Sequence, residues 1–469
     1  MIDWDEGVDV VVVGSGAAGL SAAIEAAQVG ASVAVFEKMK GIGGNTRISD
    51  GGLAAAGTPL QEARGVDDSP ELFYEDLLRA GQGLNHPPLA RLLAERSAEA
   101  VAWTRDVLGV GYLDRLDRFG GHSVARCLTT EHHLGADITK AQRVHLQGMG
   151  VAIRTDCSLF RLHRNASGRV CGVELVERRD PELEQGRTIR NVRADRGVVL
   201  ATGGFGNDVG FRVLQNPGLC EAVESTNHRG ATADGLRAAL AVGALPVHLS
   251  WIQTGPWGCP DERGYGRAAS FASYAVYPAG IVVNPVTGLR IVNEWADRRE
   301  RSDALFMVGH PCLGLVDARG AELAAAALRR AVGRGTVRPF QTLADLAAAY
   351  DVPEAALLTT VAGYNQRVER REPDPFGKPL DRRAGRRLED PPFYAVRLWP
   401  KVHYTPGGVG IDVRARVLDL QGRPIPGLFA AGEVCGGVHG AGRLGSCALT
   451  DCIVFGRIAG LQAAGPRGA

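Results

Sequence analysis

Apolar and polar positions fall into two patterns along this chain. Close to the start, Asp9 is followed by four consecutive valines, Val10 to Val13, and then by Gly14-Ser15-Gly16-Ala17-Ala18-Gly19. Leu20 to Gly30 carries helical spacing, and Val33-Ala34-Val35-Phe36 is a second apolar run closed by Glu37-Lys38. An unbroken apolar run of strand length predicts a strand buried on both faces, as in a parallel sheet. Pro70 to Gly81 and Pro88 to Leu108 carry helical spacing, the second through Leu89, Leu92, Leu93, Ala100, Val101 and Trp103. Val151 to Leu162 and Val170 to Arg178 alternate as strands, and Gly197 to Leu200 is again a strand running into a glycine turn, Gly203 to Gly206. From 250 to 403 the texture changes: Pro256, Pro260, Pro278, Pro285 and Pro311 interrupt short strands. Helices follow near Ala318 to Val332, Leu343 to Tyr350 and Pro353 to Arg370. Beyond Pro406 glycine density rises again, and a last helix starts at about Ala448. The pattern predicts an α/β protein: a Rossmann-type domain from residues 1–249 and 404–469, interrupted by an inserted α+β capping domain at 250–403. A binding cleft is expected where the two meet.

The glycine spacing after the first strand carries chemistry. In a strand–G-x-G-x-x-G–helix unit the first glycine allows the turn, the second lets backbone approach a pyrophosphate, and the third lets helix pack on strand. Here these are Gly14, Gly16 and Gly19, and Glu37, 21 residues beyond Gly16, stands where an acid binds ribose hydroxyls. A second stretch, Gly41 to Gly52, has five glycines in twelve residues, which disfavours helix and strand and predicts a loop lying against a ligand longer than a nicotinamide dinucleotide, namely FAD. The turn at 203–206 lacks the fingerprint spacing and a following acid, so no separate NADPH unit is read.

Composition narrows the function classes. The 469 residues are 45% hydrophobic and 22% charged, ordinary for a globular protein of two or three domains. A net charge of +1 excludes nucleic acid as an expected partner, since no basic excess is available for phosphates. The acidic start lacks a signal-peptide pattern and no apolar run reaches membrane-spanning length, so a cytoplasmic protein with no membrane partner is expected. Nine cysteines without C-x-x-C spacing point to neither disulfides nor a metal site. His122, His132 and His133 have ligand-like spacing but no partner motif, and are read as solvent-facing or cofactor-adjacent.

With these motifs in order, the chain resembles the FAD-dependent oxidoreductases that include soluble fumarate reductases, urocanate reductases and 3-ketosteroid dehydrogenases. The carriers span Val10 to Gly460 and include VVVGSGAAGLSAA, GGNTRISDGG, LATGGFG, STNHRGATADGL, HYTPGGVGID and GLFAAGEVCGGVHGAGRLGSCALTD. The resemblance implies FAD held by the first and last segments and two-electron chemistry at adjacent carbons. It implies a cofactor set of Gly14, Gly16, Ala17, Ala18, Gly19, Glu37, Lys38, Gly43, Gly44, Asn45, Thr46, Gly51, Gly52, Ala201, Thr202, Gly203, Asp234, Gly432, Glu433, Arg443, Gly445, Ser446 and Leu449. Membrane-complex relatives tether FAD through a histidine at the position of Asn45. Asparagine cannot form that bond, so noncovalent FAD is expected.

Arg298 matches the arginine that protonates substrate carbon in fumarate reductases, and Arg443 the one that clamps a carboxylate. Against the first, Arg298 sits among Arg299, Glu300, Arg301 and Asp303, a charge cluster typical of a solvated face. Two departures follow: a carboxylate-holding histidine aligns with Gly255, and a second substrate histidine with Tyr404, next to His403. The proton-relay residues have no match between Gly258 and Pro278, where Tyr265, Phe271, Tyr274 and Tyr277 stand instead. The expectation is hydride exchange between flavin N5 and a carbon–carbon bond next to a carboxylate or carbonyl. Arg298, Arg443, Tyr404 and His403 are the catalytic candidates, with an enoic acid or enone as substrate and an unspecified electron donor or acceptor. One alternative is a ketosteroid-type dehydrogenase or oxidase on an apolar ring; another is a noncatalytic flavin-binding redox partner.

Overall fold

The computed structural model describes residues 2–178, 187–380 and 386–465. The chain divides into two units: one holds Met1–Cys220, Asn227–Ile252 and Tyr404–Ala469, the other Glu221–Thr226 and Gln253–His403.

In the first unit the valine run lies in the strand Glu6–Val13, which pairs in parallel with Val33–Phe36 on one side and Arg187–Leu200 on the other. Ala152–Arg154 and Pro424–Ala430 extend the parallel sheet outward from these neighbours. Val10, Val11 and Val12 are wholly buried, which accounts for the absence of alternation in their sequence. Val170–Arg178 and Cys157–Arg164 continue from Arg187–Leu200 as an antiparallel flap.

Two helices pack backbone to backbone beside this sheet. Ala17–Gln28 follows the glycine turn, and Cys447–Ala463 is the last helix of the described chain. Gly456 and Gly460 sit one turn apart on the last helix, where Cβ atoms would fall 2.5 Å from Ala18 O and 2.1 Å from Ala22 O. This contact draws the C-terminal segment onto the first βα turn, 440 residues away in sequence.

The second unit is an antiparallel sheet in the order Ile281–Val283, Cys312–Val316, Phe393–Leu398, Val337–Phe340. Both faces are covered. Val282, Cys312, Val396 and Leu398 join one core, and Ile281, Val283, Leu313 and Ala395 join another beneath the helices Leu343–Ala349 and Glu354–Arg370.

Local composition misled in three places. The glycine-rich stretch is not a plain loop: it holds the helix Gly44–Ile48 and the strand Gly52–Ala54. The strand pairs with Cys127–Thr129, and Gly135 lies so close to the helix that a Cβ there would be 2.0 Å from Thr46 O. Tertiary packing overrides propensity here. The segment 266–279, read as proline-interrupted strand, is helical, with a π turn at Ala272–Val276 just before Pro278. Arg298–Val308, read only as a charged run, is a helix whose start is fixed by Asp297: its Oδ1 accepts from the N–H groups of Arg299 (2.8 Å) and Glu300 (3.0 Å).

Gly19→Ala tests the packing. In an ordinary helix interior the change adds about 1 kcal/mol of stability. Here the new methyl would fall 2.0 Å from Gly14 O, and overpacking against backbone costs up to about 3 kcal/mol. The variant is expected to unfold several degrees below wild type by circular dichroism; an unchanged or raised midpoint would contradict the close contact.

Candidate active site

A pocket of about 860 Å³ opens over the C-terminal ends of the parallel strands in the first unit. This is where open α/β sheets bind ligands. Its wall includes Gly14, Gly16, Ala17, Ala18, Glu37, Lys38, Gly44, Asn45, Thr46, Ala201, Thr202, Gly203, Asp234 and Glu433, all anticipated from sequence. Ser15, Met39, His228, Gly230 and Cys452 line it as well and were not anticipated.

The glycines divide into two kinds, which tests whether a dinucleotide fits. Gly14 (φ +106°) and Gly19 are glycines because protein fills their Cβ space, at 2.2 Å from Ala201 O and 2.0 Å from Gly14 O. Gly44 (φ +47°) and Gly203 (φ +71°) have nothing within 4 Å, and Gly16 has only Thr46 Oγ1 at 3.7 Å. Backbone cleared of side chains along a pocket wall suits the close approach of a pyrophosphate and ring system. The other expected glycines face protein: Gly43 packs on Arg47 Cβ (2.9 Å), Gly51 on Thr130 Oγ1 (2.4 Å), Gly52 on Ser446 Oγ (2.5 Å), Gly432 on Ala18 Cβ and Cys452 Sγ (3.0 Å each), and Gly445 on Phe119 Cβ (2.8 Å). Ser446, in left-handed backbone (φ +61°), starts the last helix, and its carbonyl accepts from Ala54 N–H (3.2 Å); Leu449 is buried within that helix.

The polar groups of the pocket are held in place. Glu37 is buried, with Oε2 accepting from Ser15 N–H (3.1 Å) and Ser15 Oγ–H (2.6 Å) and Oε1 from Met39 N–H (2.9 Å). Lys38 and Asp234 pair with each other at 2.9 Å, with Thr232 bonded to both. Thr46 Oγ1 accepts from Ala17 N–H (3.2 Å). Asn45 bridges, donating to Asn227 Oδ1 (3.0 Å) and accepting from His228 N–H (2.7 Å). Burial pushes the Glu433 carboxyl above its ordinary value and the His228 imidazole below its own. Of the three upstream histidines, only His122 is buried, with Nε2 at 2.9 Å from Gly445 O; His132 is exposed and His133 half-buried.

The four catalytic candidates separate into two pairs, one in each unit. In the first unit, Arg443 is buried, its guanidinium lies 4.5 Å over the Tyr404 ring, and Nη1 donates to Leu444 O (3.0 Å). A guanidinium is a planar, permanently charged donor whose shape suits a carboxylate in two-point contact. Burial, reinforced by Asp451 and Glu433, raises the Tyr404 hydroxyl well above its usual range, so the phenol stays protonated. Tyr404 meets the His439 ring edge-on at 5.6 Å, and His439 Nε2 is 3.3 Å from Asp451 Oδ2. Sequence reasoning missed this last pair, although His439 stands four residues before Arg443.

In the second unit, the Arg298 guanidinium lies 4.6 Å over the Trp257 ring, and Trp257 meets His403 edge-on at 5.1 Å. His403 Nδ1 is 2.8 Å from Thr226 Oγ1. Consecutive residues of the strand Lys401–Tyr404 thus serve different units, as alternation along a strand requires. At Gly255, a Cβ would fall 2.9 Å from the Trp257 ring. The charge-cluster picture fails for one neighbour: Arg301 is buried 4.3 Å over Tyr277, and burial lowers its pKa, while Arg299 pairs with Asp303 at the surface (3.5 Å). Among the described residues no cluster of three His, Cys, Asp or Glu is placed to hold a metal, and no helix is long and apolar enough to cross a membrane.

Comparison with known proteins places these features in context. The FAD binding domain family model matches residues 9–449. The acrylate reductase flavoprotein subunit of Shewanella woodyi is 40% identical over 470 residues, 98% of this chain and 91% of that protein. A fumarate reductase (cytochrome) of Shewanella frigidimarina is 34% identical over 461 residues, covering 97% and 77%. Among solved structures, the open conformation of a flavocytochrome c3 fumarate reductase superposes with a TM-score of 0.78 at 34% identity, covering 98% of this chain and 78% of that one. The 3-ketosteroid-Δ4-(5α)-dehydrogenase of Rhodococcus jostii RHA1 follows at 0.77 and 26%, covering 99% and 98%. Matched along nearly its whole length, and with the cleared pocket such a cofactor needs, this protein belongs to the FAD binding domain family of flavoprotein oxidoreductases.

Proposed function

We propose that this protein is a reductase of α,β-unsaturated carboxylic acids bearing a single carboxylate, with noncovalently bound FAD. The observation that carries the reading is Arg443, a buried guanidinium stacked on Tyr404 and so presented as a planar fork. Bound FAD supplies two-electron exchange with the substrate's β carbon at its N5 atom. Arg443 holds the carboxylate in two-point contact, and the neutral Tyr404 hydroxyl donates to the same end. As negative charge moves toward the carboxylate, the Arg443 guanidinium stabilises it. Arg298, held at a helix start by Asp297 and over the Trp257 ring, delivers the proton to the α carbon.

Support for one carboxylate rather than two comes from Gly255 and Trp257. An indole fills the space where fumarate reductases carry a histidine for the second carboxylate, and a neutral ring does not offset a second buried charge. The relative at 40% identity acts, by its name, on acrylate. A second reading, dehydrogenation of a ketosteroid-like ring, is favoured by the aromatic group of Trp257, His403 and Tyr265, whose rings lie 5.1 and 6.2 Å apart around His403. The presence of one nucleotide fingerprint favours an electron donor other than a nicotinamide held by this chain.

Four measurements test the reading. Dithionite-reduced enzyme mixed anaerobically with acrylate or crotonate should regain its oxidised flavin spectrum faster than with fumarate; bleaching of oxidised enzyme by a saturated ketosteroid would favour the second reading instead. Arg298→Ala should lower kcat by about a thousandfold, the scale of a lost proton donor, with little change in bound FAD. Arg443→Lys, which loses the two-point fork, should raise KM about tenfold or more, and equal KM values would refute the carboxylate site. Acid precipitation without proteolysis should leave all flavin in the supernatant; colour remaining with the protein would refute noncovalent attachment.

A further inference from the structure

We infer that Asp451 and His439 are positioning residues for the substrate's carboxylate, acting through Tyr404 on Arg443. This rests on the reading of Arg443 given above.

The four side chains form a buried series. Asp451 Oδ2 lies 3.3 Å from His439 Nε2, and each residue is only 1–2% exposed. The carboxylate facing Nε2 fixes the orientation of the imidazole ring. The His439 ring stands at 79° to Tyr404 with centroids 5.6 Å apart, and the Arg443 guanidinium lies 4.5 Å over the same tyrosine ring. Tyr404 is thus packed by both His439 and Arg443, so a change at His439 shifts the ring against which the fork rests.

The anchor of the series is rigid. Asp451 lies in the second turn of Cys447–Ala463, the helix whose Gly456 and Gly460 lock onto Ala17–Gln28. Arg443 and His439 instead belong to the turn-rich segment 437–446, which includes positive-φ residues at Gly437, Gly440 and Ser446 and no long element of its own. A carboxylate-binding fork on such a segment needs a tie to something stiff, because displacement by a fraction of an ångström weakens two-point contact. The Asp451–His439 pair supplies that tie. Burial of an acid beside an imidazole is costly unless it specifies a geometry, and the geometry it specifies here is that of the fork.

The test uses FAD-loaded enzyme and acrylate, with reduced methyl viologen as electron donor. Asp451→Asn, which keeps an oxygen near His439 but removes the charge, and His439→Gln, a second variant should the first fold poorly, are each expected to raise KM for acrylate about tenfold while kcat falls less than threefold. A role in stability alone would lower the melting temperature and leave KM untouched. Combining Asp451→Asn with Arg443→Lys discriminates further, since residues acting in series are not additive: KM should match that of Arg443→Lys alone within twofold. Wild-type KM in both single variants, or effects that multiply in the double variant, would overturn the inference while leaving the carboxylate site intact. An unchanged KM in Arg443→Lys itself would remove the site and this inference with it.

Discussion

The close approach of peptide backbone to peptide backbone at four glycines organises the rest of this protein. Gly14 and Gly19 bring the first strand, its turn and the following helix within van der Waals contact, and Gly456 and Gly460 bring the last helix onto the same helix from the other end of the chain. Any side chain at these places would push apart elements whose spacing defines the cofactor pocket. The cost of so many glycines is conformational entropy in the unfolded chain. What they secure is a pocket floor built from residues 13–46 and a wall built from residues 431–452, held in register by close packing.

Chemistry then follows from which groups that register leaves exposed to the pocket and which it buries. Glu37 and the Lys38–Asp234 pair are fixed by neighbouring hydroxyls and amides before any ligand arrives. Preorganisation of this sort avoids paying ordering entropy on binding. The acids on the C-terminal side, Glu433 and Asp451, lie in an environment dry enough to raise the pKa of Glu433 and of the Tyr404 phenol. Arg443 lies beside them, a buried guanidinium where an electrostatic attraction is stronger than in bulk water.

Much of this was legible in the amino-acid sequence because it depends on spacing. The valine run, the three glycines and the acid at Glu37 are local signals, and the structure realises them as a parallel strand, a turn and a pocket-lining carboxylate. The long helices at 70–80 and 87–106 were equally plain, since each opens on proline and keeps one apolar face. What stayed hidden depends on contacts between distant residues. Helicity at 44–48 and 266–279 runs against glycine and proline content and arises from packing. The burial of Arg301 on Tyr277, amid four other charged residues, has no signature in composition. The pairing of His439 with Asp451 has no local signature, because the two stand on either side of the start of a helix.

The division of the catalytic candidates has a structural logic of its own. Arg443 and Tyr404 belong to the scaffold that forms the pocket, whereas Arg298, Trp257 and His403 belong to a unit with a separate sheet and separate cores. A group that binds a carboxylate and a group that delivers a proton have different demands. The first must be stiff, since it sets where the reacting carbon lies; the second need only reach that carbon. With Arg443 and Tyr404 on the βα scaffold, side chains of the other unit, as at Gly255 and Trp257, can vary without disturbing the packing that holds the pocket.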